Sequence, residues 1–357
     1  MTIVFVGIDV HVKSYSIAIV KNCEIIKSFR MVASPEKLIE NLRKHYPEDK
    51  IKSVYEAGFS GLSLHRTLIE AGIENIVVNP ASIEVAANDR CKTDKRDARK
   101  LAWKLSINEL KGIIIPSIET ENRRRLTRTR EEIVSKRVRT QNQIKQLIYY
   151  HNLLPEIPSI TAKFVNTLEE IAADLPDDLR ISLETLLSEW RFYTLKLVEF
   201  RRHFRAQAAR DKPKEMIYQS VPGVGPIAAR TLSNELGDTL QFKSTKAVYK
   251  ATGLTPGEYS SGEAVRRGHI SRQGSSRLRY ILTEVAWRAI GSDPALSLKY
   301  NILKSRIGGK KAIIAIARNI IGRIRACFKK NQPYMKGLLH GRAMSTEVKE
   351  TIAAEMI

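Results

Sequence analysis

The sequence predicts an α/β domain followed by a mainly helical remainder. Three observations carry that prediction. Strands and helices alternate after an opening run of strands, up to about residue 118. Glycine is then absent from residues 119–212, where charged residues alternate with Leu, Ile and Val at helical spacing. A glycine-rich turn and strongly basic helices fill residues 214–334. Such a succession gives a layered sheet domain first and helix-on-helix packing afterwards.

Residues 3–8 and 15–20 are apolar runs that read as strands, with residues 9–14 as the turn between them. Lys21-Asn22 offers a second turn before a third strand over 24–29, which makes a β-meander. Ser34-Pro35-Glu36 is a helix start, with serine as cap and proline at the first position. Leu38, Ile39 and Leu42 give that helix an apolar face. Val54-Tyr55 forms a short strand, residues 63–71 a helix closed by Gly72, and residues 76–78 another strand ended by Asn79-Pro80. This mixed-sheet domain covers 1–118. A helical segment follows over 119–213, with Ile133, Ile144, Leu147 and Ile148 on one stripe and Leu183, Leu186, Leu187, Trp190, Leu195 and Leu197 on another. Pro155 and Pro158 separate the two, so an antiparallel pair with coiled-coil character is expected. A third domain spans 214–335, with helices near 277–290 and 310–329, and a tail spans 336–357.

Charge narrows the function. The 357 residues carry 60 Lys and Arg against 38 Asp and Glu, a formal net charge of +22. The excess is uneven: residues 214–334 hold 21 basic and 7 acidic residues. A polyanionic partner is implied, and the third domain is its expected main surface. Cys23, Cys91 and Cys327 are scattered, which supports neither a disulfide framework nor a zinc ribbon and suits a reducing cytoplasm. No apolar run approaches the roughly 18 residues that would cross a membrane.

Two sets of residues carry chemistry. Asp9 ends the first apolar run, Glu56 follows the Val54-Tyr55 strand, and Asp94 and Asp97 lie three apart on a basic stretch. If that stretch is helical, the last two share one face. Carboxylates gathered at one sheet edge can hold Mg²⁺, which takes oxygen ligands and retains room for substrate phosphate. His11 reads as a turn residue, with a supporting position beside Asp9 as the alternative. The second set begins at Val221-Pro222-Gly223-Val224-Gly225, which is similar to the hairpin of helix-hairpin-helix DNA-binding modules. Gly223 and Gly225 would offer backbone N–H groups to phosphate. Ser260 and Ser261 follow in a loop rich in cations, including Arg266, Arg267, Arg272, Arg277 and Arg279. Arginine holds phosphate oxygens and stabilises transition-state charge, while a hydroxyl attacks only once activated.

Gly7-Ile8-Asp9-Val10, Tyr55-Glu56-Ala57, Thr93 to Ala98, the Pro-Gly-Val-Gly turn, Gly253-Leu254-Thr255-Pro256 and Ser260-Ser261-Gly262 occur in this order, followed by Arg267-Gly268-His269. In this set the chain resembles transposases of insertion-sequence family 110, the bridge-RNA-guided recombinases, over nearly its whole length. The resemblance implies a RuvC-like (RNase H-like) first domain whose tetrad Asp9, Glu56, Asp94 and Asp97 binds Mg²⁺. It implies a C-terminal transposase domain with Ser261 as nucleophile, chosen over Ser260 because it precedes the glycine. Donor and target DNA, a structured noncoding guide RNA, and homodimers assembling to homotetramers through the coiled coil follow as implied partners, in a prokaryotic cytoplasm on nucleoid DNA. The competing readings are a RuvC-like nuclease that hydrolyses branched DNA and a non-catalytic nucleic-acid-binding regulator.

Overall fold

The computed structural model describes residues 2–83, 93–258, 267–339 and 342–343. The chain divides into two compact units, Met1–Ser117 and Ile118–Ile357. The first is mixed α/β, built on one five-stranded sheet; the second is mostly helical.

The sheet of the first unit has the order β3-β2-β1-β4-β5. Its strands are β1 (Ile3–Val10), β2 (Ser14–Lys21), β3 (Glu24–Val32), β4 (Lys50–Glu56) and β5 (Glu74–Val78). The first three pair antiparallel, and β1, β4 and β5 pair parallel. The expected meander is present, but its first turn is tighter than predicted. Pairing continues through Asp9↔Ser16 and Val10↔Tyr15, so Asp9 is a strand residue and not the start of a turn. Glu56 likewise ends β4, a longer strand than Val54-Tyr55 alone.

Alternation along β1 explains the layering. Val4, Val6 and Ile8 are fully buried and pack with Leu38 and Leu42 of α1 (Pro35–His45) and Leu64 and Leu68 of α2 (Ser63–Glu70). Each such side chain contributes roughly 1.5–3 kcal/mol of burial. As predicted, the Ser34 hydroxyl caps α1 by accepting from the Lys37 N–H. The opposite face carries Phe5, Ala18 and Val20 against Ala98 and Ala102 of α3 (Asp94–Ser106). Gly7 lies on this second face. A Cβ there would sit 2.1 Å from the Ala98 carbonyl oxygen and 2.4 Å from the Ala102 nitrogen, so only glycine lets α3 rest directly on β1.

In the second unit, α4 (Ile118–Tyr150) and α6 (Asp177–Arg210) run antiparallel with α5 (Ala162–Ala173) between them in sequence. Their direction follows from the pairs Arg123–Asp211 and Thr140–Glu189. Ile144 and Ile148 meet Leu183, Leu187 and Trp190, most of the predicted stripe. Leu195 departs from it and is 66% exposed. Five positions beyond Trp190 is about 140° around the helix, which turns Leu195 away from the face that Trp190 and Leu197 occupy.

The remaining helices are α7 (Lys212–Gln219), α8 (Pro226–Leu236), α9 (Thr245–Thr252), α10 (Ser276–Ile290), α11 (Pro294–Ile307) and α12 (Gly309–Lys330). They surround α12, whose Ile313, Ile316, Ile320, Ile321 and Ile324 repeat at helical spacing in the core. A charged knot ties this bundle to the base of α6. The Arg230 side chain, 1% exposed, donates to Ser233 Oγ at 2.6 Å and Asp211 at 3.0 Å, and lies 3.3 Å from Glu215. Burial pushes the Glu215 carboxyl up, against the pull of Arg230. Arg128 reaches from α4 to Glu235 with two bonds of 3.0 Å. Between α9 and α10 runs a two-stranded hairpin, β6 (Pro256–Glu258) and β7 (Arg267–Ile270).

Candidate active site

At the C-terminal edge of β1 the structure brings Asp9 and Asp94 together, with Asp97 near enough to act on Asp9 by its charge, while Glu56 is placed at that edge by strand register alone. Odd-numbered residues of β1 face α3, so Asp9 points to the side on which α3 begins. Ile8 pairs with Tyr55, which places Glu56 on the neighbouring strand one step further, at the same edge as Asp9. Asp94 and Asp97 both occupy the first turn of α3. Acidic residues there are favoured by the helix dipole, so the helix itself supports this charge.

His11 binds the cluster together. Its Nε2 lies 3.2 Å from Asp9 Oδ2 and 3.2 Å from Asp94 Oδ2. The turn that carries it is fixed by the His11 N–H donating to the Ser14 carbonyl. His11 is therefore more than the turn residue first expected; it bridges two carboxylates. Its signal in the sequence is weak, since a histidine two residues after an aspartate in a tight turn has many ordinary explanations.

Asp9 is the most enclosed of the three, with 23% of its side chain exposed against 47% for Asp94. Burial raises its carboxyl above the usual range. His11 opposes that shift, while the charges of Asp94 and Asp97 add to it. Like charges crowded this way are relieved by a cation. One ligand atom each from Asp9, His11 and Asp94 lies within 4.8 Å of the others, so the donors fit a divalent metal ion. Two carboxylates and an imidazole suit several such ions.

The second set is arranged differently. Ser260, Ser261 and Arg266 lie outside the described residues, in the segment joining β6 to β7. Arg267 opens β7. Arg277 and Arg279 are turned into the protein. Arg277 Nε donates to Glu131 Oε2 of α4 at 2.6 Å. Arg279 Nη1 donates to the carbonyls of Gly274 at 2.7 Å and Arg272 at 3.3 Å. Arg272 itself is exposed with φ +56°, at the foot of the hairpin. The two glycines of the Pro-Gly-Val-Gly turn also differ. A Cβ on Gly223 would meet Arg288 and the Val285 carbonyl of α10 at 2.7 and 2.9 Å, so Gly223 serves helix packing. Gly225 caps α8 with open space where a Cβ would be, so its backbone can be approached closely.

Two family models match the chain. A transposase model for Asp-Glu-Asp-Asp proteins of the IS110 type covers residues 6–151, which include the whole acidic set. A model described as "Transposase IS116/IS110/IS902 family" covers residues 216–301, which include the glycine-rich turn and the serine loop. Relatives agree. "Putative transposase y4qE" of Sinorhizobium fredii is 31% identical over 288 residues, 79% of this chain and 71% of the relative. The transposase for insertion sequence element IS1533 of Leptospira borgpetersenii is 27% identical over 357 residues, 94% of this chain and 99% of the relative. That for element IS1111A of Coxiella burnetii is 24% identical, covering 76% of each. The chain is thus an insertion-sequence transposase, an enzyme that acts on DNA. It belongs to the IS116/IS110/IS902 family. The Asp-Glu-Asp-Asp match implies an RNase H-like fold for the first unit, in keeping with three antiparallel strands followed by two parallel ones. Among the described residues, no helix is long and apolar enough to cross a membrane.

Proposed function

We propose that this transposase breaks and rejoins DNA strands through a covalent serine intermediate, guided by a structured noncoding RNA. The observation that carries the reading is the Asp9–His11–Asp94 cluster at the end of β1, inside the region matched as a transposase. Asp9, Glu56, Asp94 and Asp97 of a RuvC-like domain hold Mg²⁺, with His11 orienting Asp9 and Asp94. Mg²⁺, when bound, supplies charge stabilisation to the reacting phosphate.

Ser261 is the nucleophile. Its Oγ attacks phosphorus, the Oγ–P bond forms, and the P–O3′ bond breaks. The serine proton leaves to solvent or a neighbouring base, and the departing O3′ takes up a proton. A 3′-hydroxyl of the other strand then attacks the 5′-phosphoserine and expels Oγ, which is reprotonated. The bond count is unchanged, so rejoining needs no ATP. Arg266, Arg267 and Arg272 hold nucleic-acid backbone, and Gly225 gives it close access. The long α4–α6 pair supports homodimers that assemble to tetramers, in which the acidic site of one subunit serves the serine of another. The enzyme works in the cytoplasm, on donor and target DNA.

The test is covalent trapping. The full chain is mixed with RNA transcribed from the flanks of its own element, matching DNA and Mg²⁺, then denatured. A protein–DNA adduct is expected from wild type and from Ser260→Ala, and none from Ser261→Ala or Asp9→Asn. Loss in Ser260→Ala alone moves the nucleophile by one residue. Asp9-dependent cleavage with no adduct from any variant would replace this mechanism with hydrolysis.

A further inference from the structure

Beside the acidic cluster, on the same face of the sheet, lies an open groove of about 560 Å³. Ser16 and Ser28 line it from β2 and β3, Arg30 from the outer strand, and Thr93, Asp94 and Lys95 from the start of α3. The register explains its composition. Asp9 pairs with Ser16, and Ser16 pairs with Arg30, so these three side chains form one row across three strands. Glu56 extends the row on the far side of Asp9. Read across the sheet, the row passes from two carboxylates through a hydroxyl to a guanidinium.

Arg30 is fixed in the groove wall by one hydrogen bond and remains exposed. Its Nε donates to Ser14 Oγ at 2.9 Å, which aims the side chain toward the end of the sheet where His11 sits. Among the described residues, neither Arg30 nor Lys95 has a carboxylate partner, although both are exposed. Arg99 donates to Ser28 Oγ at 3.0 Å, behind the lining residues, and anchors one wall of the groove to α3. A small free anion would gain from Arg30 and Lys95 but would also face Asp94. A chain of phosphates avoids that conflict, with one phosphate at the metal-fitting carboxylates and another among the cations.

We infer that this groove is a phosphate subsite for the DNA strand being cut, in which Arg30 and Lys95 hold a phosphate near the reacting one. The inference rests on the acidic cluster being the cleavage site. Adjacent strands lie about 4.8 Å apart, which puts Arg30 about 10 Å from Asp9 across the row. Taking the axial rise of about 3.4 Å as the least spacing of successive phosphates, that span covers at most about three nucleotides along one strand. The held phosphate therefore lies within about three nucleotides of the reacting one. Arg30 is a positioning residue: it sets which phosphate reaches the carboxylates, and it does not touch the reacting atoms.

Two measurements on the full chain with its RNA test this. First, binding of the element's junction DNA is titrated against salt for wild type, Arg30→Gln and Arg30→Lys. Arg30→Gln should lower the slope of log K against log salt by about 0.9, one phosphate contact, and Arg30→Lys should keep it. Second, a single uncharged methylphosphonate is walked along each strand. In wild type one position within three nucleotides of the cut should slow cleavage about tenfold, the scale of one charge-assisted contact, and Arg30→Gln should no longer sense it. An unchanged salt slope together with an unchanged methylphosphonate profile overturns the inference. So does a slope change seen with RNA alone and absent with DNA, which would give the groove to the guide. If instead Asp9→Asn cleaves like wild type, the cleavage-site reading fails, and the salt slope still decides whether Arg30 holds DNA.

Discussion

The two units of this molecule use their charges in opposite ways. At the edge of the sheet, carboxylates face one another across a gap, with one imidazole between them. Around the β6–β7 hairpin, arginines that look equally available in the sequence are bound to the protein itself. Arg277 neutralises Glu131, and Arg279 holds two backbone carbonyls. Charge meant for a ligand is left crowded by its own sign, whereas charge that serves folding finds its opposite or a carbonyl. The buried Arg230 belongs to the second kind, with Asp211, Glu215 and Ser233 around it. Counting cations in the basic third of the chain therefore overstates the surface presented to nucleic acid.

The largest expected effect tests the crowded end. Asp94→Asn should reduce recombination by at least about a thousandfold, on the scale of losing one preorganised charged group, while DNA affinity stays within about twofold. Strand-exchange and filter-binding assays on the same preparation check both halves, and parallel loss of binding would place Asp94 among binding residues. Next comes the folding charge. Arg230→Met leaves the buried Glu215 without its cation, while Asp211 keeps Arg123, and should cost about 3–5 kcal/mol, read from denaturant midpoints. A double change that also replaces Glu215 with Gln should recover part of that loss, since the stranded charge is then gone.

Arg279→Ala sharpens the contrast. If this side chain holds the hairpin's foot, adduct formation should fall by about a hundredfold while the salt slope of DNA binding is unchanged. A slope lower by about one would return Arg279 to the phosphate-binding set. The smallest effect concerns Asp9. Burial and the neighbouring carboxylates raise its carboxyl above the ordinary range, so the folded protein holds this proton more tightly than the unfolded chain does. Stability from this group is greatest below the unfolded value and declines as pH rises through the folded one, leaving a penalty at neutral pH. Asp9→Asn should therefore raise Tm by roughly 1–3 °C without divalent ions. Added Mg²⁺ should raise Tm in wild type and leave the variant unmoved.

Much of the first unit was legible because its signals are local. Ser34-Pro35 starts α1 as a cap-and-proline pair should, and alternation in β1 sorts Val4, Val6 and Ile8 from Phe5 and Gly7. The four carboxylates could be proposed together because each sits at the end of a strand or the start of a helix. His11 was underrated because its value comes from Asp94, 83 positions away in sequence, which only the packing of α3 brings near. Arg30 was missed for the same reason, since register across three strands cannot be read from one of them. In the second unit, the packing roles of Gly223 and Arg279 were not legible from their residue type. A glycine or an arginine is equally at home against a helix and against a phosphate, and no local pattern separates the two.

Gly7 has a consequence for how this active centre tolerates change. Because α3 lies directly on the β1 backbone at that residue, the gap between Asp9 and the first turn of α3 is set by main chain against main chain. Lys100, off that contact, can change without widening or narrowing the gap, as a caliper keeps its opening when its handle is exchanged. The most constrained residue of the centre is then one with no side chain at all, two positions before the aspartate it serves.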